Sequence, residues 1–190
     1  MAFSLSSWGA TVVVLGDSIS AAYGLTKPED GWVALLQREA RKAGVKLDLV
    51  NASISGETSA GGLARIDDVL ERHRPAILIL ELGANDGLRG LPPSGMQANL
   101  GEIIQRAQAK NAKVLLLGMR IPPNYGKRFN DLFEGVFPAL AAHYGLPYVP
   151  FLLEGVGGQV HLMQADGLHP NADAQPILKD AVWRRLQALL

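Results

Sequence analysis

A serine that directly follows an apolar run is the first candidate for chemistry in this sequence. Ser18 lies two residues after Gly16, at the end of a Val- and Leu-rich stretch. Far along the chain, Asp166 and His169 place a carboxylate and an imidazole three residues apart, so that one turn can hold both side chains. A nucleophile, a general base and an acid that orients the base are the parts of a serine hydrolase. The sequence therefore predicts Ser18 as nucleophile, His169 as general base and Asp166 as the orienting acid.

Each of these residues also has an ordinary structural explanation. Serine is a common N-cap, so Ser18 could simply begin a short helix. His169 precedes Pro170 and would suit a surface position, and Asp166 beside Gly167 would suit a turn. The residue types and spacing leave these alternatives open.

Two further positions offer hydrogen-bond donors to a reacting oxygen. Gly56 lies in the segment after the second predicted strand and could bring a bare backbone N–H close to a substrate. Asn85 follows the third predicted strand and offers a side-chain amide. Together with the N–H of Ser18 they would form three donors for a tetrahedral oxyanion. Glycine and asparagine are also frequent turn formers, which is the alternative explanation for both.

The elements that would position these residues alternate between short apolar runs and longer helical patterns. Continuous Val, Ile and Leu runs are typical of parallel strands covered on both faces, and the alternating residues 45–49 suit an edge strand. The sequence therefore predicts an α/β fold with a five-stranded parallel sheet and helices on both faces. The predicted strands cover residues 12–15, 45–50, 76–82, 113–118 and 147–151. The predicted helices cover residues 31–43, 59–72, 94–110, 128–144 and 173–189.

The order of these elements predicts where the polar candidates meet. Ser18, Gly56 and Asn85 follow the first three strands, and the Asp166–His169 pair lies beyond the fifth. In a doubly wound sheet these loops emerge at the carboxyl edge of the strands, where ligands bind at the switch in strand order. We therefore expect the four segments to converge at one edge of the sheet.

Composition limits the classes of protein that the chain can represent. With 190 residues, the chain is expected to form one domain over residues 11–190, preceded by a tail of ten residues that is either native or the remnant of a trimmed signal. Lys+Arg and Asp+Glu both number 18, so no basic face for nucleic acid is evident. Cysteine is absent, and no apolar run approaches the roughly 20 residues of a membrane span. The sequence shows no metal-binding histidine spacing and no nucleotide-binding glycine motif.

Four blocks of the sequence resemble the conserved blocks of the SGNH (GDSL) hydrolase family and occur in the same order along the chain. The longer stretches resemble most closely the bacterial multifunctional thioesterase/arylesterase/lysophospholipase group. Ile19 replaces the leucine of the family's name, and Ala84 occupies a variable position where relatives often have glycine. The blocks are Gly16-Asp17-Ser18-Ile19, the segment around Gly56, Gly83-Ala84-Asn85-Asp86 and Asp166-Gly167-Leu168-His169.

The resemblance implies a three-layer flavodoxin-like fold and hydrolysis of esters and thioesters through an acyl-enzyme. It assigns the roles argued above to Ser18, Asp166 and His169, with Ser18, Gly56 and Asn85 as the oxyanion donors. It implies no metal or organic cofactor, a small-molecule ester or thioester as partner, and a periplasmic or secreted location. Aryl esters, acyl-CoA and lysophospholipids are the expected substrates. A carbohydrate O-acetylesterase of the same superfamily and a non-catalytic flavodoxin-like binding domain are the alternatives.

Apolar residues on the loops after the third, fourth and fifth strands are the candidates for substrate contact, and the loop after the fifth strand contributes Leu153, Val156, Val160 and Leu162. We expect Leu88, Leu91, Ile121 and Tyr125 to line an acyl or aryl site, because apolar side chains on adjustable loops suit such groups. The alternative is that each of them packs under its own loop.

Overall fold

A parallel five-stranded sheet lies at the centre of the computed structural model, which describes residues 9–190. The strand order is β2-β1-β3-β4-β5. All neighbouring strands run parallel, and β1 is paired on both sides. The strands are β1 (Ala10–Gly16), β2 (Leu47–Asn51), β3 (Ile77–Glu81), β4 (Lys113–Leu117) and β5 (Tyr148–Val149).

Helices cover both faces of the sheet, as the sequence predicted. On one face α1 packs against α6, and on the other face α4 packs against both α2 and α5. Short 3₁₀ turns precede and follow α6. The helices are α1 (Trp32–Lys42), α2 (Ser59–His73), α3 (Ala84–Leu88), α4 (Pro93–Ala109), α5 (Lys127–Tyr144) and α6 (Gln175–Leu186).

The core consists of the apolar strands and the inward faces of these helices. Residues 12–15 of β1 and the whole of β3 are buried, which explains why neither strand shows alternating polar residues. Trp32 of α1 and Phe133 and Phe137 of α5 are among the largest fully buried side chains, one helix on each side of the sheet. Burial of these surfaces is the main favourable contribution to folding.

Several predicted boundaries were wrong, mostly at the edges of the sheet. β5 has only two residues instead of the predicted 147–151, because Pro147 and Pro150 have no N–H to donate to a neighbouring strand. β2 begins at Leu47 rather than residue 45, because the N–H of Val45 still donates to Ala40 at the end of α1.

The predicted boundary between tail and domain after residue 10 also needs correction. Ala10 pairs with Leu47 and is therefore part of β1. The rest of the predicted tail, apart from Gly9, lies outside the described residues. Among residues 9–190, no helix combines the length and the apolar character needed to cross a bilayer.

The strand order places the switch point between β1 and β3. β1 is followed in the chain by β2 on one side, whereas β3, β4 and β5 follow on the other. The loops after β1 and β3 therefore leave the sheet in opposite directions and open a crevice between them. Ser18 follows β1 and Asn85 follows β3, so that both lie at this crevice.

Candidate active site

Ser18 lies in a tight turn directly after β1. The N–H of Ala21 donates to the carbonyl of Asp17, and the N–H of Tyr23 donates to the carbonyl of Ser18, with no regular helix beginning here. A Cβ on Gly16 would lie only 2.6 Å from Oε2 of Glu81 and 2.7 Å from Oγ of Ser20, so these two side chains leave no room for a side chain at this position. The half-buried Ser18 side chain is therefore presented by a turn and is not an ordinary helix N-cap.

His169 lies within hydrogen-bond distance of both Ser18 and Asp166. Nε2 of His169 is 2.9 Å from Oγ of Ser18, and Nδ1 is 2.6 Å from Oδ2 of Asp166. The other carboxylate oxygen of Asp166 accepts the N–H groups of Leu168 and His169 at 2.9 and 3.0 Å. The hydrogen bond from His169, helped by these two backbone N–H groups, lowers the pKa of Asp166 to about 2. Asp166 thus fills both of the roles considered for it, as turn cap and as partner of the imidazole.

The loop that carries this pair is anchored to the rest of the molecule. The N–H of Gln164 donates to the carbonyl of His169, and Met163 bridges to Pro170. The amide of Gln164 also donates to the carbonyl of Tyr23, whose ring centre lies 4.7 Å from that of His169. These contacts join the His169 loop to the turn that carries Ser18.

Gly56 and Asn85 lie close together on the other side of the crevice. The side-chain amide of Asn85 donates to the carbonyl of Glu57 at 3.0 Å and to Oδ2 of Asp17 at 3.1 Å. Neither the N–H of Ser18 nor that of Gly56 donates to any acceptor among residues 9–190. Two of the three predicted donors are therefore free, whereas both N–H bonds of Asn85 are already engaged.

Asn85 lies in α3, a short helix that was expected to be a loop. Asn, Asp and Gly have low helix propensity, so nothing local indicated a helix. The helix is held by Asp86, whose carboxylate accepts the backbone N–H of Ser59 at 2.8 Å and its hydroxyl at 2.5 Å. Ser59 begins α2, so that Asp86 fixes the position of Asn85 relative to the start of that helix.

Two buried acids beneath Ser18 were missed by the sequence reasoning. Oε2 of Glu81 accepts the N–H of Asp17 at 3.2 Å and the hydroxyl of Ser20 at 2.6 Å. The carboxyl group of Glu81 therefore binds a residue that precedes Ser18 in the sequence and a residue that follows it. Burial raises the pKa of Glu81 well above its ordinary value, and the nearby Asp17 raises it further. An acid at the end of an otherwise apolar strand was the available signal for Glu81.

The buried carboxyl of Asp17 also resists ionisation. Burial raises its pKa from 3.8 to about 6, against the opposing effects of the Ile19 N–H, His169 and Asn85. A raised carboxyl pKa in the folded state means that the fold binds this proton more tightly than the unfolded chain does. The contribution to the free energy of unfolding is therefore fully present below pH about 4 and is lost as pH rises through about 6.

The substitution Asp17→Asn is expected to flatten this part of the stability profile. The asparagine cannot ionise, so the fall in the free energy of unfolding between pH 4 and pH 7 becomes smaller than in the unaltered protein. Urea unfolding at pH 4, 5.5 and 7 measures this fall, and Asp48→Asn, at an exposed position on β2, serves as the matched control. An identical fall in the Asp17→Asn protein would contradict the assignment.

A mainly apolar cleft adjoins Ser18 and His169. Leu88 and Ile121 line it, as predicted, whereas Leu91 and Tyr125 are not among its lining residues. The hydroxyl of Tyr125 donates to the carbonyl of Leu88 at 2.8 Å, so Tyr125 supports the wall from behind, while Leu91 is exposed beyond it. Of the residues expected on the loop after the fifth strand, Leu153 lines the cleft, whereas Val156, Val160 and Leu162 do not. The apolar lining also includes residues that sequence reasoning did not single out for substrate contact, namely Ile19, Ala84, Met119, Pro122 and Leu168.

The fold and the site together define an ester-hydrolysing serine hydrolase of the SGNH type. Residues 14–176 match the sequence profile of the GDSL-like lipase/acylhydrolase family. The chain belongs to this family, as the four sequence blocks indicated.

Individual relatives are similar over nearly the whole chain. The esterase TesA of Pseudomonas aeruginosa is 53% identical over 95% of this chain and 89% of its own length. Thioesterase 1/protease 1/lysophospholipase L1 of Escherichia coli is 43% identical over 95% of this chain and 85% of its own.

Solved structures show the same similarity in three dimensions. A crystal structure of TesA has a TM-score of 0.92 and covers 95% of this chain and 99% of its own, at 53% identity. The esterase EstA from Pseudoalteromonas, in a structure inhibited by monoethylphosphonate, has a TM-score of 0.89 at 43% identity and covers 94% of this chain and 97% of its own. The predicted flavodoxin-like SGNH fold and the assignment to ester-hydrolysing enzymes are confirmed, which sets aside the non-catalytic binding domain.

Proposed function

We propose that this protein hydrolyses carboxylic esters and thioesters through an acyl-enzyme on Ser18. The observation that supports this most directly is the chain of two hydrogen bonds from Ser18 through His169 to Asp166, at 2.9 and 2.6 Å. Both distances lie in the range at which a base can take a proton from a nucleophile and be oriented by an acid. The relatives named esterase, thioesterase and arylesterase support the same reaction.

In the acylation step, Oγ of Ser18 attacks the carbonyl carbon of the substrate while Nε2 of His169 takes the hydroxyl proton. Asp166 keeps the other proton of the ring on Nδ1 and stabilises the imidazolium that forms. When the tetrahedral intermediate collapses, its bond to the alcohol or thiol breaks, and His169 returns the proton to this leaving group. A water molecule then attacks the acyl-enzyme by the same route and releases the carboxylic acid.

The negative oxygen of the intermediate would be met by the free N–H groups of Ser18 and Gly56. Donors placed in advance at this position stabilise the charge that develops in the transition state. Asn85 would supply the third donor by giving up or sharing its bond to Asp17 or Glu57, since both of its N–H bonds are engaged in the resting protein. The oxyanion role of Asn85 thus includes an exchange of partners.

An organophosphonate ester tests the nucleophile directly. Incubation with such a probe is expected to add one phosphonyl group per chain, and mass spectrometry of the digested protein is expected to place it on the peptide containing Ser18. Heat-unfolded protein serves as the control, because an isolated serine hydroxyl is not activated. A folded protein that stays unlabelled, or that is labelled at another residue, would overturn the proposal.

The cleft favours acyl chains over acetyl groups alone. Its walls are formed by apolar residues, and an acetyl group is too small to cover much of their surface. These residues are Leu88, Met119, Ile121 and Leu153. In a series of p-nitrophenyl esters, kcat/KM is therefore expected to rise from acetate to medium chains, by about tenfold for each pair of methylenes that the cleft fully buries. Activity confined to acetate would support the carbohydrate O-acetylesterase instead.

The apolar cleft also supports a proposal for the kinds of ester and thioester that the protein hydrolyses. Aryl esters, acyl-CoA and lysophospholipids all present an acyl group that such a cleft accepts, and they differ in the leaving group, which is a phenol, a thiol or an alcohol. We further propose a periplasmic or secreted location, on the family resemblance, and fractionation of the native host's cells is the measurement that checks it.

A further inference from the structure

Gly56 lies in a turn whose conformation decides where its N–H points. The N–H of Glu57 donates to the carbonyl of Ile54 at 3.1 Å, which makes Gly56 the third residue of a four-residue turn. The φ angle of Gly56 is +79°, the value that a type II turn requires at this position. In a type I turn the central peptide is rotated by about half a revolution, so the N–H of Gly56 would point the opposite way.

Three side chains from outside the turn hold this segment. Arg89 donates to the carbonyl of Gly56 at 2.7 Å, and Asn85 donates to the carbonyl of Glu57 at 3.0 Å. The carboxylate of Glu57 is bound by Arg65 of α2, with Nε at 2.7 Å from Oε1. Arg89 is the one of the three that contacts Gly56 itself.

In the part of the chain that the structure describes, the guanidinium of Arg89 makes no hydrogen bond other than the one to Gly56. No carboxylate lies within 4.0 Å of it among residues 9–190, and it does not line the apolar cleft. A hydrogen bond from a charged donor is about twice as strong as one between neutral groups. Arg89 follows α3 directly. Because α3 is held in place by Asp86 and by the hydrogen bond from Tyr125 to Leu88, the backbone that carries the Arg89 side chain is also held in place.

We infer that Arg89 is a positioning residue, which holds the turn of residues 54–57 in the conformation that presents the N–H of Gly56 to the reacting oxygen. This inference rests on the proposed role of Gly56 as an oxyanion donor. Arg89 acts on the reaction through Gly56 and does not touch the substrate. Its effect is therefore on the rate of the chemical step and not on substrate affinity.

The test is a double-mutant cycle between Arg89→Met and Gly56→Ala. Methionine keeps the length and apolar part of the side chain but has no donor, and alanine disfavours the positive φ that the turn needs. Arg89→Met is expected to lower kcat on a neutral p-nitrophenyl ester about tenfold, with KM within about twofold. In the Gly56→Ala background the same change is expected to have less than a twofold effect, because the turn has already been altered.

Two controls separate positioning from other roles. Arg72→Met removes an exposed arginine from the far end of α2 and is expected to leave kcat unchanged. Arg89→Lys retains a charged donor and is expected to recover part of the lost rate. The loss in Arg89→Met is expected to be equal for the neutral ester and for an acyl-CoA.

The outcomes distinguish this inference from the proposed function beneath it. If Gly56→Ala keeps full activity, the oxyanion role of Gly56 fails and the inference fails with it. If Gly56→Ala is impaired while Arg89→Met is not, or if the two losses multiply, the role of Gly56 stands and that of Arg89 is overturned. A loss confined to acyl-CoA would make Arg89 a contact for the charged leaving group and would equally overturn it.

Discussion

Replacing Ser18 by alanine is expected to lower kcat for ester hydrolysis by about 10⁶, which is among the largest effects expected for a single substitution in this protein. The substitution removes the one oxygen that lies 2.9 Å from Nε2 of His169, so no acyl-enzyme can form. A residual rate above that in water is expected, because the N–H groups of Ser18 and Gly56 still face a bound ester. Hydrolysis of a p-nitrophenyl ester, followed by the absorbance of the released phenolate, measures the loss.

The fold is expected to survive this change. Ser18 is half-buried and loses one hydrogen bond, which is worth about 0.5–1.5 kcal/mol of stability. Ser94→Ala, at an exposed position near the start of α4, is the matched control and should keep full activity. Retention of more than about 1% of the activity in folded Ser18→Ala would contradict Ser18 as the nucleophile.

The second large effect is expected for Asp166→Asn, with a loss in kcat of about 10⁴. Oδ1 of the asparagine can still accept the N–H groups of Leu168 and His169, which keeps the turn. Its amide nitrogen then faces Nδ1 of His169 as a donor, so Nδ1 must be unprotonated and the ring proton moves to Nε2. In that tautomer Nε2 donates to Ser18 and cannot take its proton.

The reason for the expected loss is therefore the tautomer and not the shape of the site. Steady-state kinetics of the folded variant test this, with Asp173→Asn as control, since Asp173 is an exposed acid seven residues further along. NMR of the imidazole nitrogens reports the tautomer independently. Near-normal activity with the proton found on Nε2 would show that the interaction of Asp166 with His169 is not needed for catalysis.

Most of the fold could be predicted from local sequence pattern. Continuous apolar runs identified β1, β3 and β4, and the longer amphipathic stretches identified five of the six helices, because buried parallel strands and surface helices leave distinct periodicities. The exception was α3, whose Asn, Asp and Gly residues have low helix propensity and whose position depends on the contact of Asp86 with Ser59. The short strand β5 was overestimated because a proline on each side interrupts its pairing.

The convergence of the candidate site residues could be predicted for a related reason. Parallel strands share a carboxyl edge, so residues that follow β1, β2 and β3 must meet, however far apart they lie in the sequence. This rule brings Ser18, Gly56 and Asn85 together, and the spacing of Asp166 and His169 suits a shared turn. The apolar loop residues are not ordered by any such rule, so Leu91 and Tyr125 lie outside the cleft, whereas Met119 lines it although sequence reasoning did not single it out.

The sequence by itself determined the class of fold, the family and the residues able to do chemistry, because these follow from side-chain type, periodicity and the order of elements along the chain. Only the tertiary structure decided the state of those residues: the raised pKa of Asp17 and Glu81, the engaged amide of Asn85, and the hydrogen bond from Arg89 to Gly56. Each of these properties depends on burial or on a contact between distant segments, which in most cases are 30 or more residues apart in the sequence. Burial and such contacts set the local dielectric and the hydrogen bonding, but they leave no periodic pattern in the sequence.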